Sequence, residues 1–375
     1  MAGIYLHIPF CKKRCIYCDF YSSTRSDLRT RYVEALCSEL EQRIDYLEGA
    51  PVRTLYLGGG TPSQLTTEQL QHIFDTLQRL INLNDLEEVT LEANPDDLTA
   101  RYVEGLTTLP INRLSMGIQS FDDSMLRLLN RRHTAQQARD AVERCRAAGF
   151  SNLSIDLMYG LPGQTAEAWR NDLQQAIALG VEHISAYHLS VEEGTPLHRL
   201  CQANRLHEAD EELSVMLFEQ LTTTLQQAGY LQYEISNFCL PNRHSRHNSA
   251  YWQGIPYLGC GASAHSYNGV SREWNVASID RYIGGIVEGK RDFEQEQLDQ
   301  TTRYNEMVMT ALRTREGLSL EQLKQQFGTS YHDYCLDMAH RHLEQGLMAL
   351  TEGRLHLTHQ GIFVSDTLLS DLMII

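Results

Sequence analysis

Six short apolar runs, each ending in turn residues, punctuate the first half of the chain: "GIYLHIPF", "RTLYLGGG", "EEVTLEAN", "INRLSMGI", "SNLSIDLMYG" and "HISAYHLSVE". Between them lie longer stretches at helical spacing, such as "RYVEALCSELEQRIDYL", "TEQLQHIFDTLQRLI", "AQQARDAVERCRAAG" and "AEAWRNDLQQAIALG". The last two end in Gly149 and Gly180, the residue type a helix C-terminus favours because it takes positive φ without strain. Strand then helix, repeated about six times at a spacing of roughly 30 residues, predicts a parallel α/β fold, either a barrel or an open sheet. Such folds gather their reactive groups at the C-terminal ends of the strands. Side chains at those six strand ends are therefore the first candidates for function.

The pattern changes after about residue 195. "EADEELSVMLFEQLTTTLQQAGY" predicts a helix, and the loop-rich aromatic stretch "YEISNFCLPNRHSRHNSAYWQGIPYLGCGASAHSYNG" follows it. The last segment reads helix, turn, helix, a small hairpin around Glu352-Gly353, then helix, which is the order of a winged helix. Winged helices often bind DNA, but residues 318–375 carry three Lys/Arg against seven Asp/Glu, and the whole chain carries a net charge of −16. That field repels phosphate backbones. The tail is therefore read as a packing or lid module, and nucleic acid is not expected as the main partner.

No apolar run approaches the roughly 20 residues that span a bilayer. The opening "MAGIYLHIPF" has no basic region before its apolar residues, so no signal peptide is expected. Nine cysteines is an odd number, and six of them (Cys37, Cys145, Cys201, Cys239, Cys260 and Cys335) stand alone. Free thiols in a reducing cytoplasm are the expectation.

The other three cysteines, Cys11, Cys15 and Cys18, crowd into "CKKRCIYC" at the end of the first strand. A structural zinc site closes with four ligands. Thiolates at CxxxCxxC spacing can instead reach three irons of a cubane cluster from one loop and leave the fourth iron open. A zinc site completed by His7 or Asp19, or three incidental thiols, is the alternative at this level. The other strand ends bear on the choice. "GGGTPS", Gly58 to Ser63, lets the backbone approach a ligand closely. "LEANP" points Glu92 at the same mouth, "SMGIQSF" adds Gln119, "LNRRH" adds Arg131 and "IDLMYGLPGQ" adds Asp156. One such carboxylate would pass as a helix cap. Several polar groups at successive strand ends, beside three thiols, define a ligand pocket.

CxxxCxxC after the first strand, GGGTP, the Glu of "LEANP" and the Gln of "GIQSF" together resemble the radical S-adenosylmethionine (SAM) superfamily, and within it the coproporphyrinogen-dehydrogenase branch. The resemblance covers essentially the whole chain, including the tail. It implies a partial (β/α)6 barrel with a C-terminal winged-helix-like domain. It further implies a [4Fe-4S] cluster on Cys11, Cys15 and Cys18, with the amine and carboxylate of SAM chelating the open iron. Gly59, Gly60 and Thr61 would hold the amino group, and Tyr5, Glu92, Gln119, Arg131 and Asp156 would complete the pocket. Tyr17 matches a position that touches a second SAM in the dehydrogenase. An electron donor would feed the cluster, and the cofactor would carry the hard chemistry while the barrel positions it.

Two subgroups of the branch separate on residues. The dehydrogenases (HemN-type) carry an extension before the cluster loop and a further cysteine after it, CxxxCxxCxC. In this chain "CDFYS" puts Phe20 at that place. The difference resembles the HemW-type heme chaperones, and "HNSAYW", His247 to Trp252, matches their HNxxYW signature. A neutral imidazole is a good axial ligand and aromatic faces can cover a porphyrin, which makes His247 the candidate heme ligand, with His244, Cys260 and His265 as rivals. A histidine hydrogen-bonded inside a loop, with Tyr251 and Trp252 as core anchors, is the bland alternative. The expected organisation is a SAM-binding barrel over 1–235, a connecting region with HNxxYW over 236–300, and a winged-helix-like domain over 301–375. The expected function is to bind heme and pass it to an acceptor heme protein, respiratory cytochromes being candidates. Coproporphyrinogen III decarboxylation and a HemN-like radical methyl transfer are the competing readings.

Overall fold

The computed structural model describes residues 1–374. Six strands run parallel and consecutive in one sheet: β1 (Ala2–Ile8), β2 (Val52–Gly59), β3 (Glu88–Ala93), β4 (Arg113–Gln119), β5 (Leu153–Tyr159) and β6 (His183–His188). Alternation explains why these runs form strands with two different faces. Ile4, Leu6, Leu55, Leu57, Leu91, Leu114, Ile155 and Ile184 are fully buried beneath the helices that follow each strand. The intervening positions are polar: Tyr5 and His7, Thr54 and Tyr56, Glu88 and Glu92, Ser115, Ser154 and Asp156, His183 and Ser185. A closed barrel fills its lumen with branched aliphatic side chains. Here the concave face is hydrophilic, a surface built for a polar guest.

The helices begin where side chains satisfy their free N–H groups. Thr66 with Gln69, and Thr134 with Gln137, form reciprocal capping boxes, and Thr165 caps Ala166–Ala178. A loss of such a cap costs about 1 kcal/mol.

The stretch expected to connect two parts of the chain contributes most of a second sheet region. β7 (Leu231–Glu234) and β8 (Asn237–Cys239) add antiparallel strands beyond β6. β9 (Tyr257–Cys260) joins the opposite edge, parallel to β1, and β10 (His265–Tyr267), β11 (Ser271–Asn275) and β12 (Phe293–Gln297) extend it antiparallel. The sheet thus has twelve strands. Sequence reasoning saw a loop here because these strands are short, three to five residues each, with little apolar alternation to mark them. "HNSAYW", in the same stretch, is part of the short helix Arg246–Trp252, capped by Ser245.

A second core forms over Tyr304–Leu372. Helix Gln300–Leu312, β13 (Leu318–Ser319), helices Leu320–Phe327 and Thr329–Glu344, and the hairpin β14 (Met348–Thr351) with β15 (Arg354–Leu357) follow one another in winged-helix order. It meets the first through Phe363, whose ring centroid lies 5.4 Å from that of Phe218, and through the Arg315 N–H on the Tyr233 carbonyl. Among the described residues no helix is long and apolar enough to cross a membrane.

Candidate functional site

The three clustered cysteines lie in the loop after β1, half-buried and unpaired. Burial raises the Cys11 thiol, and raises Cys18 to about 11; the nearness of Cys15 adds to both. Thr61 Oγ1 lies 3.5 Å from Cys11 Sγ, and an Arg131 guanidinium N–H donates to Cys15 Sγ at 3.3 Å. His7, the alternative fourth zinc ligand, has both ring nitrogens engaged, by the Tyr5 hydroxyl at 3.1 Å and the Tyr21 carbonyl at 3.0 Å. Among the described residues no three His, Cys, Asp or Glu are arranged to grip a single metal ion. The thiols suit a larger object that spans them.

Arg131 supplies the sharper test of what that object is. The guanidinium is held by Asn94 Oδ1 at 2.5 Å and by the Gly117 carbonyl, its Nε is buried without a partner, and it forms no ion pair among the described residues. A buried cation without a counter-charge is costly. A thiolate-bound iron–sulfur cluster and a cofactor carboxylate would both supply negative charge there. The residues present fit both groups.

Gln119 meets the same place from β4. Its φ of 73° is left-handed, and the β4–β5 register breaks between Gly117 and Gln119. Such strain and irregularity in a side-chain-bearing residue concentrate at functional sites. The Gln119 and Arg131 side chains both close over Gly117, where an added Cβ would lie 3.0 Å and 3.2 Å from them.

Glu92 is clamped from two sides. The Tyr56 hydroxyl donates to Oε1 at 2.7 Å and the Gly59 N–H donates to Oε2 at 3.1 Å. Gly59 adopts φ 107°, and a Cβ there would strike the His7 ring at 2.6 Å, so only glycine brings this N–H onto the carboxylate. Burial pushes the Glu92 carboxyl up to about 7, opposed by the Tyr56 hydrogen bond and reinforced by Asp156. Burial likewise raises Asp156 to about 6, against the pull of Ser185, Arg113 and Ser115. Between the two carboxyls and Arg113, His183 and Tyr187 lies a polar cavity of about 50 Å³, room for a water or two. Two carboxyls raised toward neutrality thus share one cavity with the Arg113 guanidinium. Tyr5 stacks near Tyr56, centroids 6.1 Å apart, as the wall of this pocket. Tyr17 packs beside Arg131 and Cys15, and the Leu197 N–H on the Ile16 carbonyl ties the segment after β6 to the cluster loop.

Sequence reasoning missed the residues that hold these motifs together. Asn94 bridges Thr61 and Arg131. Asp97 accepts from Lys12 at 2.8 Å, Ser63 at 2.9 Å, Gln64 at 2.5 Å and Arg132 at 3.1 Å, joining the cluster loop, the GGGTP segment and the chain after β4. Tyr56 and Glu88 fall at inward positions of strands already recognised, so the two-residue period could have found them.

His247 stands apart from the other candidate residues. It lies deep on the concave face, 2% exposed, beneath the cofactor pocket. Its Nδ1 lies 2.8 Å from Thr54 Oγ1 and its Nε2 lies 2.9 Å from the Tyr251 hydroxyl. Burial depresses its pKa to about 3, and its ring stacks on Tyr56 at 5.1 Å. Glu88 accepts the N–H groups of both Arg246 and His247 at 2.9 Å, anchoring the start of the HNxxYW helix. In this conformation both ring nitrogens are engaged by protein hydroxyls. Cys260, a rival, is fully buried; His265, another, is exposed.

Three thiols at the mouth of a polar-lined α/β sheet, beside a half-buried arginine with no ion-pair partner among the described residues and a glycine-clamped glutamate, fit a radical SAM protein, whose superfamily carries a SAM-binding [4Fe-4S] cluster. The profile of the Radical SAM superfamily matches residues 5–176, and that of the HemN C-terminal domain matches 298–364. The chain is 36% identical to the "Heme chaperone HemW" of Bacillus subtilis over 96% of both chains. It is 34% identical to the protein of that name in Lactococcus lactis over 95% of this chain and 93% of that one. It therefore belongs to the HemW family. The solved structure of Escherichia coli coproporphyrinogen III oxidase (HemN) superposes with a TM-score of 0.86 at 23% identity, covering 99% of this chain and 90% of that one, which shows the shared fold.

Proposed function

We propose that this protein is a heme chaperone that binds heme and hands it to an acceptor heme protein, while carrying a SAM-binding [4Fe-4S] centre on Cys11, Cys15 and Cys18. The similarity to HemW proteins along nearly the full chain carries this reading. When bound, the cluster supplies a one-electron route to the sulfonium of SAM. The chain's own groups do the positioning. Glu92 and the Gly59–Gly60–Thr61 turn receive the cofactor ammonium, Arg131 receives its carboxylate, and Tyr5, Gln119 and Asp156 enclose the rest. Tyr17 shields the cluster side from water. Nine unpaired cysteines, most of them buried, suit a reducing cytoplasm. A net charge of −16 suits an acceptor or an electron donor with a basic face.

The test is transfer. Anaerobically reconstituted protein loaded with heme should pass it to an apo-cytochrome, with the acceptor's spectrum appearing as the donor's disappears. With reductant, SAM and coproporphyrinogen III it should form no protoporphyrinogen IX. Turnover of that substrate without heme transfer would overturn the reading in favour of the decarboxylase. Cys15→Ala should abolish the iron–sulfur absorbance and the bound iron and sulfide, and a variant retaining a full cluster would remove Cys15 from the ligand set.

A further inference from the structure

If the protein carries heme, some group must face the iron, and His247 as folded does not. Ten of the fifteen histidines commit a ring nitrogen to a neighbour in the structure. Among the described residues the other five, His72, His207, His244, His265 and His359, make no side-chain hydrogen bond. His72 sits on the outer surface of helix Thr67–Leu80 and His207 in the loop before helix Glu211–Gln227. His244 lies edge-on to Tyr233 and His359 edge-on to Phe363, both away from the cluster loop. His265 lies on the side of the cofactor pocket next to His7.

Its placement follows from strand register. Arg43, on helix Arg29–Arg43, donates to Ser266 Oγ at 3.1 Å and to Glu273 Oε2 at 2.9 Å, so those two residues face the helical layer. Their neighbours His265 and Trp274, paired across β10 and β11, therefore face the concave side. The two rings stack at 5.7 Å and 24°. Gly259 of β9 explains how the imidazole reaches the mouth: an added Cβ would lie 1.9 Å from the His265 carbonyl oxygen, so the chain at His265 is drawn over β9 toward β1. His265 is then near enough to His7 for charge on one to disfavour charge on the other. The same face carries an aromatic run, with Tyr257 6.4 Å from Tyr267 and 4.6 Å from Tyr251.

We propose that the concave face of β10 and β11 is the heme platform, with His265 as the axial ligand to iron and Trp274 as its buttress, an assignment that rests on the heme-chaperone reading. An axial imidazole stands roughly perpendicular to the porphyrin. Trp274, stacked on the imidazole face, fixes the ring while leaving its nitrogen edge free. Half-buried Tyr257 and Tyr267 offer a macrocycle apolar, polarisable surface, and Trp274, nearly parallel to the imidazole, meets the porphyrin edge-on. Desolvation by its neighbours and the nearby Arg272 lower the His265 pKa, a shift in the direction that favours the neutral, ligating ring.

Hemin titration of the full-length, cluster-loaded protein tests this. The parent chain should give a saturable Soret shift and the magnetic-resonance signature of histidine ligation. His265→Ala should lose that signature and weaken binding by about tenfold or more, with cluster content and SAM binding unchanged. His265→Met should restore axial ligation with a different signature. Trp274→Ala should weaken binding while the histidine signature stays. A His265→Ala protein with the parent spectrum and affinity overturns the platform and leaves the chaperone reading standing. A parent chain that takes up no heme overturns both.

Discussion

Asp97→Ala should lower the stability of the protein by about 2–4 kcal/mol and leave it with a poorly filled cluster site. Asp97 is 8% exposed, and its loss removes the shared acceptor of four donors at once. Ser63 and Gln64 are themselves buried, so each loses a hydrogen bond that water cannot replace. Arg132 keeps Asp96 at 2.6 Å, which limits the damage on that side. Lys12, whose side chain is 56% exposed, can turn to solvent, and that freedom is the functional cost. It sits directly after Cys11, so untying it loosens the loop that must present three thiols to one cluster. Lys12→Met separates the two effects. An exposed ion pair contributes at most about 1 kcal/mol, so Lys12→Met should unfold almost like the parent yet load iron and sulfide less completely. Denaturant unfolding paired with iron analysis reads both. A Lys12→Met protein that fills its cluster normally would show that the tether is structural alone.

The first half of the fold and the rim of the site were legible because both rest on local patterns. Apolar alternation wrote the six parallel strands, and the residues at their ends, Glu92, Gln119 and Asp156, needed only the rule that such ends face the mouth. What stayed hidden depends on chain segments distant in sequence. β9 inserts beside β1 across some 250 residues, as the pairing of Tyr5 with Gly259 shows, and no periodicity announces it. Asp97 reads in sequence as a turn residue after "NP", and only the folded chain brings Lys12, Ser63 and Arg132 to it. The surroundings of His247 were hidden for a related reason. A histidine beside tyrosine and tryptophan looks the same whether it waits for iron or fills the concave face. In the folded protein it is held by Thr54 and Glu88, which lie some 160–190 residues earlier in the chain.

That placement gives the HNxxYW helix a physical link to the cofactor pocket. The His247 ring stacks on Tyr56, and the Tyr56 hydroxyl in turn holds Glu92. Tyr56→Phe would keep the stack and remove the hydrogen bond. It should weaken SAM binding roughly tenfold, measured by equilibrium dialysis on reconstituted protein, with little change in the helix. An unaltered affinity would confine Tyr56 to packing.

Glu92→Gln should make the cofactor-free protein more stable and SAM binding far weaker, and the first effect should appear only at neutral and higher pH. Burial raises the folded-state pKa of Glu92 from 4.5 to about 7. An acid whose folded pKa exceeds its unfolded one binds its proton more tightly in the folded state. Stability from that proton is complete below the unfolded value and is lost as pH rises through about 7. At about pH 8 the ionised carboxylate therefore costs up to about 3 kcal/mol, which an uncharged amide removes. The amide nitrogen then faces the Gly59 N–H, and this donor–donor contact returns about 1 kcal/mol of that gain. At about pH 5 Glu92 is already protonated when folded, and the variant should gain nothing. Asp156, raised to about 6, leaves a residual slope of the same sign in the variant. For SAM the balance reverses, because the ammonium loses its charged partner and affinity should fall roughly 10- to 100-fold. Denaturation of the cofactor-free chain at the two pH values, with SAM binding measured on the loaded one, checks both halves. Equal stability gains at both pH values, or an unchanged SAM affinity, would mean that Glu92 is not the strained anion this pocket holds ready for a cation.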